Sequence, residues 1–305
     1  MMKRFVHIFF MDGVGLGEND AAVNPLVTAD MPHLTRLLGE GWSVARQRRS
    51  RGRATFVPTE TTVGVEGRPQ SATGQAMILT GRNVAKAVGE HYGPKPNPAV
   101  AAEIQRGTLF HEVTANGGRA GLLSPYPPAF FEGIRSGRRL LSAVPLAAEA
   151  AGVPLLGIEA LRLGEAVSPD FTNQAWHDMF GYDDLPILGL DEAGERLAML
   201  AGRYTFSFFE HWPSDRWGHR GSLAKARTHL EMLDTVLGGL LAAWPDKSGL
   251  LIITSDHGNI EDKSQRQHTS YPVPTILVGE GHEALGQGIE SLIDIAAVVR
   301  RYLEL

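Results

Sequence analysis

Asp256 and His257 stand side by side after an apolar run, Ile252-Ile253-Thr254-Ser255, and His268 follows in the next loop. A carboxylate and an imidazole at the carboxyl end of a buried strand are metal-ligand types in a metal-ligand position. Two more strand ends supply matching groups. Asp12 closes the apolar run from Phe5 to Met11, and Asp215-x-x-x-His219 follows the run that ends at Phe209. Three Asp and three His are too many for one tetrahedral ion that keeps an open position. Hard oxygens with neutral imidazoles suit Zn²⁺ or Mn²⁺, and six such groups suit two divalent ions about 4 Å apart. A nucleophile belongs beside such ions. Ser71, in Gln70-Ser71-Ala72-Thr73-Gly74-Gln75, opens an expected helix, where backbone N–H groups and the helix dipole favour an anion. A metal would also lower the pKa of its hydroxyl. Each piece has a plainer reading: Asp256-His257-Gly258 as a strand-to-loop turn, Ser71 as an N-cap.

These groups need a scaffold that gathers strand ends on one edge. The chain alternates strands and helices: strands at 5–11, 55–65, 121–123, 204–209, 250–254 and 275–278, and helices at 31–41, 71–79, 108–116, 192–201, 223–243 and 292–303. Phe5 to Met11 is apolar without interruption, as expected of a strand covered on both faces. Such alternation implies a mainly parallel sheet with helices on both faces. The pattern loosens after Pro125. Residues 125–189 are read as a small inserted cap with a helix near Val144 to Ala151, and 1–124 with 190–305 as the metal-binding core.

Composition narrows the class. The chain has 305 residues, 43% hydrophobic and 21% charged, enough for a large core. A net charge of −5 argues against a nucleic-acid or anionic-membrane surface. The absence of cysteine excludes disulfides, thiolate sites and cysteine nucleophiles. No apolar run reaches the length of a membrane span, and the first run ends at Asp12-Gly13 with no small-residue cleavage site. A cytoplasmic location is expected; the oligomeric state is not encoded in any recognisable way.

Taken in chain order, Asp12, Ser71 before Gly74, Asp215-x-x-x-His219, Asp256-His257-Gly258-Asn259 and His268-Thr269 resemble the alkaline phosphatase superfamily. The closest branch resembles the cofactor-independent phosphoglycerate mutases and phosphopentomutases, over roughly 1–124 and 190–305. The resemblance implies a three-layer α/β/α sandwich around a mixed, mainly parallel sheet. It implies one ion held by Asp215, His219 and His268, and a second by Asp12, Asp256 and His257, with Ser71 bridging or adjoining. It implies phosphoryl transfer to and from a small phosphorylated substrate through a phosphoserine. Two departures stand out: Gln75 occupies a position that is typically His in those mutases, and the insertion is much smaller than the phosphoglycerate mutase cap. Hydrolysis asks less of a protein than intramolecular transfer, so a phosphatase is the first expectation and a phosphomutase the second. A metal-binding sensor without turnover is a third. Ser71-Ala72-Thr73 lacks the Cys/Ser-x-Pro-x-Arg setting of sulfatases.

Other motifs carry less. Gly13-Val14-Gly15-Leu16-Gly17 lacks the third glycine of a dinucleotide fingerprint, and reads as a tight loop beside a ligand. Arg46, Arg48, Arg49, Arg51 and Arg53 read as a solvated edge strand or loop, with polyanion binding as the alternative. Arg135, Arg138 and Arg139 are candidates to clamp a substrate phosphate or carboxylate, with Lys86 and His91 behind them. Trp212 and Trp217 either pack around the Asp215 loop or line a substrate pocket.

Overall fold

The computed structural model describes residues 4–39 and 47–305. Its seven strands are β1 (Phe5–Met11), β2 (Arg49–Arg51), β3 (Ala54–Thr59), β4 (Ala120–Leu122), β5 (Phe206–His211), β6 (Gly249–Thr254) and β7 (Val273–Val278). They form one sheet in the order β2-β3-β7-β6-β1-β5-β4. β4, β5, β1 and β6 are mutually parallel. β7 runs against both β6 and β3, and β2 against β3. The sheet is therefore mixed, with its central strands parallel. Non-consecutive neighbours throughout the centre require helical crossovers, which place helices on both faces.

β1 shows why three layers form. It is buried along its whole length. Phe9 and Met11 pack into one core with the helices Pro32–Leu38, Leu190–Ala201 and Leu223–Ala243. Val6, Ile8 and Phe10 pack into a second core with the helices Ser71–Thr80, Pro98–Gln105, Leu109–Ala115, Ala143–Ala150 and Asp294–Leu303. Successive side chains point to opposite faces, so an uninterrupted apolar strand demands cover on both.

The inserted stretch divides between core and periphery. Ala143–Ala150, close to the expected helix, sends Ala143, Val144, Ala147 and Ala148 into the second core. A third, small cluster of Ala160, Leu161, Ala166, Trp176 and Leu185 holds the rest together around the helix Gln174–Phe180. At the opposite end of the sheet β2 is the edge strand, so of the two readings of the arginine run, strand or loop, the strand holds for Arg49–Arg51. Arg53 pairs with Asp246 at 3.2 Å, and Arg51 Nη1 donates to the Arg36 carbonyl at 2.5 Å. Arg46 lies outside the described residues. Among the described residues no helix is long and apolar enough to cross a membrane.

Candidate metal centre

The parallel register sets the site. Phe10 of β1 is paired with Thr254 of β6, and Met11 with His211 of β5, so all three strands end on the same edge. Asp12 follows β1 at once, and Asp256 and His257 follow β6 by two and three residues. Asp215 and His219 lie in a helix, Pro213–Arg220, where the sequence reading had a loop. Pro213 at its first position is the missed start signal. The i, i+4 spacing puts both side chains on one helix face.

Ser71 is the first residue of the helix Ser71–Thr80. The N-cap is Gln70, so the N-cap reading of Ser71 fails. Its Oγ lies 3.0 Å from His257 Nε2 instead. Two glycines make the assembly compact. A Cβ on Gly13, at φ +70°, would stand 2.7 Å from Asp215 Oδ1, and one on Gly74 would stand 2.8 Å from Asp256 Cβ.

The side chains converge in two overlapping groups whose ligand atoms lie within 4.8 Å of one another: Asp215 with His219 and His268, and Asp12 with Asp215 and His257. Asp215 Oδ2 is 3.3 Å from His219 Nε2, and Asp215 Oδ1 is 3.6 Å from His268 Nε2. The Nε2 atoms of His219 and His268 are 3.2 Å apart. Asp12 Oδ1 is 3.4 Å from His257 Nε2. His257 and His268 stack at 3.6 Å between ring centroids, which joins the groups. Asp256 stands beside the second group: its Oδ2 is 3.5 Å from His257 Nε2, while its Oδ1 accepts the Gly13 N–H at 3.4 Å. The shared member is therefore Asp215, which the sequence reading gave to one ion only.

The imidazole tautomers are fixed from behind. His219 Nδ1 faces the Arg266 carbonyl at 2.6 Å, His268 Nδ1 the Pro69 carbonyl at 2.9 Å, and His257 Nδ1 the Gly258 carbonyl at 3.3 Å. A carbonyl only accepts, so Nδ1 carries the proton and the Nε2 lone pair faces the centre. Burial holds His257 and His268 down to about 4, which keeps them neutral. The Asp256 and Asp12 carboxyls are shifted in the opposite sense. Burial, then the charge of Asp215, raises Asp256 to about 7; burial, then Asp256 and Asp215, raises Asp12 well above its usual range. Asp12 Oδ1 is buried with no hydrogen-bond partner. A buried centre built from lone pairs and crowded carboxylates is relieved by a cation, so the residues fit divalent metal.

Several supporting residues were not foreseen. Gln75, noted only as a departure, directs Nε2 at Asp256 Oδ2 (3.3 Å) and Asp12 Oδ2 (3.4 Å). Asn259 Nδ2 donates to Asp215 Oδ1 at 2.6 Å. Buried Glu261 accepts the N–H of Gly15 at 2.9 Å and of Asn259 at 2.7 Å, and the Thr269 hydroxyl. It thereby ties together the loops that carry Asp12, His257 and His268. No local sequence signal marks it, since its partners come from three separate loops.

Beside the metal groups opens a cavity of about 1030 Å³, with Asp12, Ser71, Gln75 and Asp215 on its wall. Of the three candidate arginines only Arg139 reaches it. Arg138 bonds the Ser136 hydroxyl in an exposed turn, and Arg135 borders a separate hollow. Lys86 is exposed on the helix Val84–Val88, and His91 Nε2 faces the Val65 carbonyl at 3.2 Å. Trp212 and Trp217 both line the cavity.

Comparison with known proteins bears on the fold and on the carboxy-terminal segment. Residues 192–305 match a family model described as the metalloenzyme superfamily. The 2,3-bisphosphoglycerate-independent phosphoglycerate mutase of Rhodopseudomonas palustris is 35% identical over 134 residues, which span 41% of this chain and 26% of that protein. That of Synechocystis is 35% identical over 140 residues, again 26% of its length. The chain thus matches about a quarter of these relatives. Solved structures match across the whole chain. The alkaline phosphatase of the Antarctic bacterium TAB5 has a TM-score of 0.55 at 13% identity, covering 100% of this chain and 99% of that one. The alkaline phosphatase of Thermus thermophilus has a TM-score of 0.56 at 12% identity, covering 99% and 92%. The carboxy-terminal segment, residues 192–305, is thus similar to the metalloenzyme superfamily, and the chain as a whole shares the fold of the alkaline phosphatases.

Proposed function

We propose that the chain is a phosphoryl-transfer enzyme that uses two divalent ions, Mn²⁺ or Zn²⁺, and works through a phosphoserine at Ser71. The observation that carries this reading is the placement of Ser71 Oγ, at a helix N-terminus and 3.0 Å from a lone-pair nitrogen of the metal centre. Asp215, His219 and His268 would hold one ion; Asp12, His257 and Asp256 the other, with Asp215 near both. Bound divalent metal supplies Lewis-acid charge that lowers the Ser71 hydroxyl pKa and neutralises the phosphate.

The remaining work falls to the protein. Ser71 Oγ attacks phosphorus in line with the departing ester oxygen; the Oγ–P bond forms as the ester O–P bond breaks. The positive end of the helix Ser71–Thr80 opposes the charge on the phosphoryl oxygens. Gln75 Nε2 bridges the Asp12 and Asp256 carboxylates and orients them. Water then attacks the phosphoserine, and Ser71 Oγ leaves. Hydrolysis of a phosphate ester is the preferred outcome, since the inserted stretch gives up its helix Ala143–Ala150 to the core and leaves little of itself to hold a phosphoryl group during transfer. The names of the curated relatives favour a phosphomutase as the second reading.

The test is turnover of p-nitrophenyl phosphate by metal-free, Mn²⁺-loaded and Zn²⁺-loaded protein. The proposal expects metal-dependent release that Ser71→Ala removes while metal content is retained. Equal rates for Ser71→Ala and the parent protein would overturn the nucleophile assignment. Labelled 3-phosphoglycerate separates the two readings: free phosphate marks a phosphatase, and label at a new hydroxyl a mutase.

A further inference from the structure

The cavity beside Ser71 is built in two zones. Its floor is polar and buried: Asp12, Ser71 and Glu210 are each under one-tenth exposed. Lys95 and Arg139 share that zone, close enough to influence one another, and Lys95 close enough to feel Asp12 and Glu210. The Glu210 carboxylate is already engaged, accepting the Tyr126 hydroxyl at 3.0 Å. Lys95 and Arg139 both line the cavity, where their charges can meet an anion at the floor.

The outer zone is apolar. Trp176 and Trp217 form its walls, and the mouth carries Met179, Phe180 and Trp212 at 65%, 42% and 44% exposure. Large apolar side chains left open beside a polar floor gain free energy when a ligand covers them. Methionine and flat aromatic faces accommodate apolar shapes of several kinds. The volume of about 1030 Å³ is at the upper end of pockets for drug-sized ligands, and far exceeds what a three-carbon phosphate fills.

We propose that this enzyme's substrate is a phosphate monoester of a large apolar alcohol, its phosphate on the Ser71 floor and its apolar body against Trp176, Phe180 and Trp212. The proposal rests on the phosphoryl-transfer reading for its floor, and adds the class of the leaving group. It sets this chain apart from an enzyme for small polar phosphate acids, whose carboxylate and hydroxyls would find few partners along the apolar wall.

The test uses Ser71→Ala protein, loaded with Mn²⁺, so that binding is read without turnover. Tryptophan fluorescence is titrated with 2-naphthyl phosphate, decyl phosphate and glycerol phosphate. Binding of either apolar ester at least tenfold tighter than glycerol phosphate supports the proposal; the naphthyl and decyl arms distinguish an aromatic from an alkyl body. The double variant Phe180→Ser and Trp212→Ser, both at exposed positions and checked for an unchanged urea midpoint, should cut that preference at least fivefold. Equal affinities for all three esters, or a preference that the double variant leaves intact, would overturn it. The parent protein is then assayed for turnover of the same esters. Tight, selective binding with no release of phosphate refutes the phosphoryl-transfer reading and leaves the pocket assignment standing. Release with glycerol phosphate preferred refutes the pocket assignment alone.

Discussion

Glu261 offers a sharp test of how the metal centre is held, because it ligates nothing yet joins three loops. Its Oε2 accepts the Gly15 and Asn259 N–H groups at 2.9 and 2.7 Å, and its Oε1 accepts the Thr269 hydroxyl. Burial pushes its carboxyl up, and these hydrogen bonds act against that. Glu261→Leu leaves two buried N–H groups without an acceptor, at about 1–3 kcal/mol each, so about 2–6 kcal/mol in all. The Thr269 hydroxyl can turn elsewhere and adds little. Against a total stability of about 5–15 kcal/mol that loss is severe. Glu261→Gln behaves differently. Its amide oxygen can take both N–H groups while its NH₂ donates to Thr269 Oγ1, so only the charge assistance is lost, about 1–2 kcal/mol. Urea unfolding with chelator and with Mn²⁺ measures both variants, and elemental analysis measures the metal retained. The expected order is parent, then Gln, then Leu, in stability and in metal content alike. If Leu matched the parent in both, or Gln failed as badly as Leu, the reasoning would be refuted.

Other substitutions probe separate parts of the account. Asp215 belongs to both ligand groups and Asp256 stands beside one, so Asp215→Asn should release more metal than Asp256→Asn by elemental analysis. Gly74→Ala puts a Cβ 2.8 Å from Asp256 Cβ, which drives the Ser71 helix away from β6. A stability loss of about 1–3 kcal/mol is expected from such overpacking, with a larger relative loss of turnover than of metal. The structure also implies acid lability. Burial lowers His7 to about 3 and His229 to about 4, both beneath the unfolded value of about 6.5. At these two sites the unfolded chain takes up protons first, so their contribution to stability is full above about pH 6.5 and is lost as pH drops toward 3. Urea midpoints from pH 8 to pH 4 should show this, and His7→Leu should flatten part of the slope.

Much of this was legible in the sequence, for definite reasons. β1 and β6 announce themselves because central parallel strands are apolar throughout, and the ligands follow directly at their ends. The long helix Leu223–Ala243 was placed without error, with Ser222 as its N-cap. Short helices were harder. Pro213–Arg220 has a strongly polar face and a Trp-rich flank, so its period was hidden behind residues that looked like a binding loop. That the candidate ligands gather at one edge was also legible, but their grouping was not: Asp215 falls in both groups because Gly13 lets the β1 loop approach it, a contact between residues some 200 apart in the chain. The roles of Glu261 and Gln75 are of the same kind. Each is defined by partners from distant strand ends, and no local pattern encodes them. Arg135, Arg138 and Arg139 looked equivalent, and only the turn of the inserted segment singles out Arg139.

The central claim is that Ser71 carries the phosphoryl group within a divalent-metal centre. The most direct measurement is to incubate Mn²⁺-loaded protein with p-nitrophenyl phosphate, quench in acid, where a phosphoserine survives, and map the modified residue by mass spectrometry. The account predicts phosphate on Ser71 that appears only with metal and disappears on longer incubation as substrate is exhausted. Sustained metal-dependent turnover with Ser71 unmodified at every quench time, and undiminished in Ser71→Ala, would contradict it.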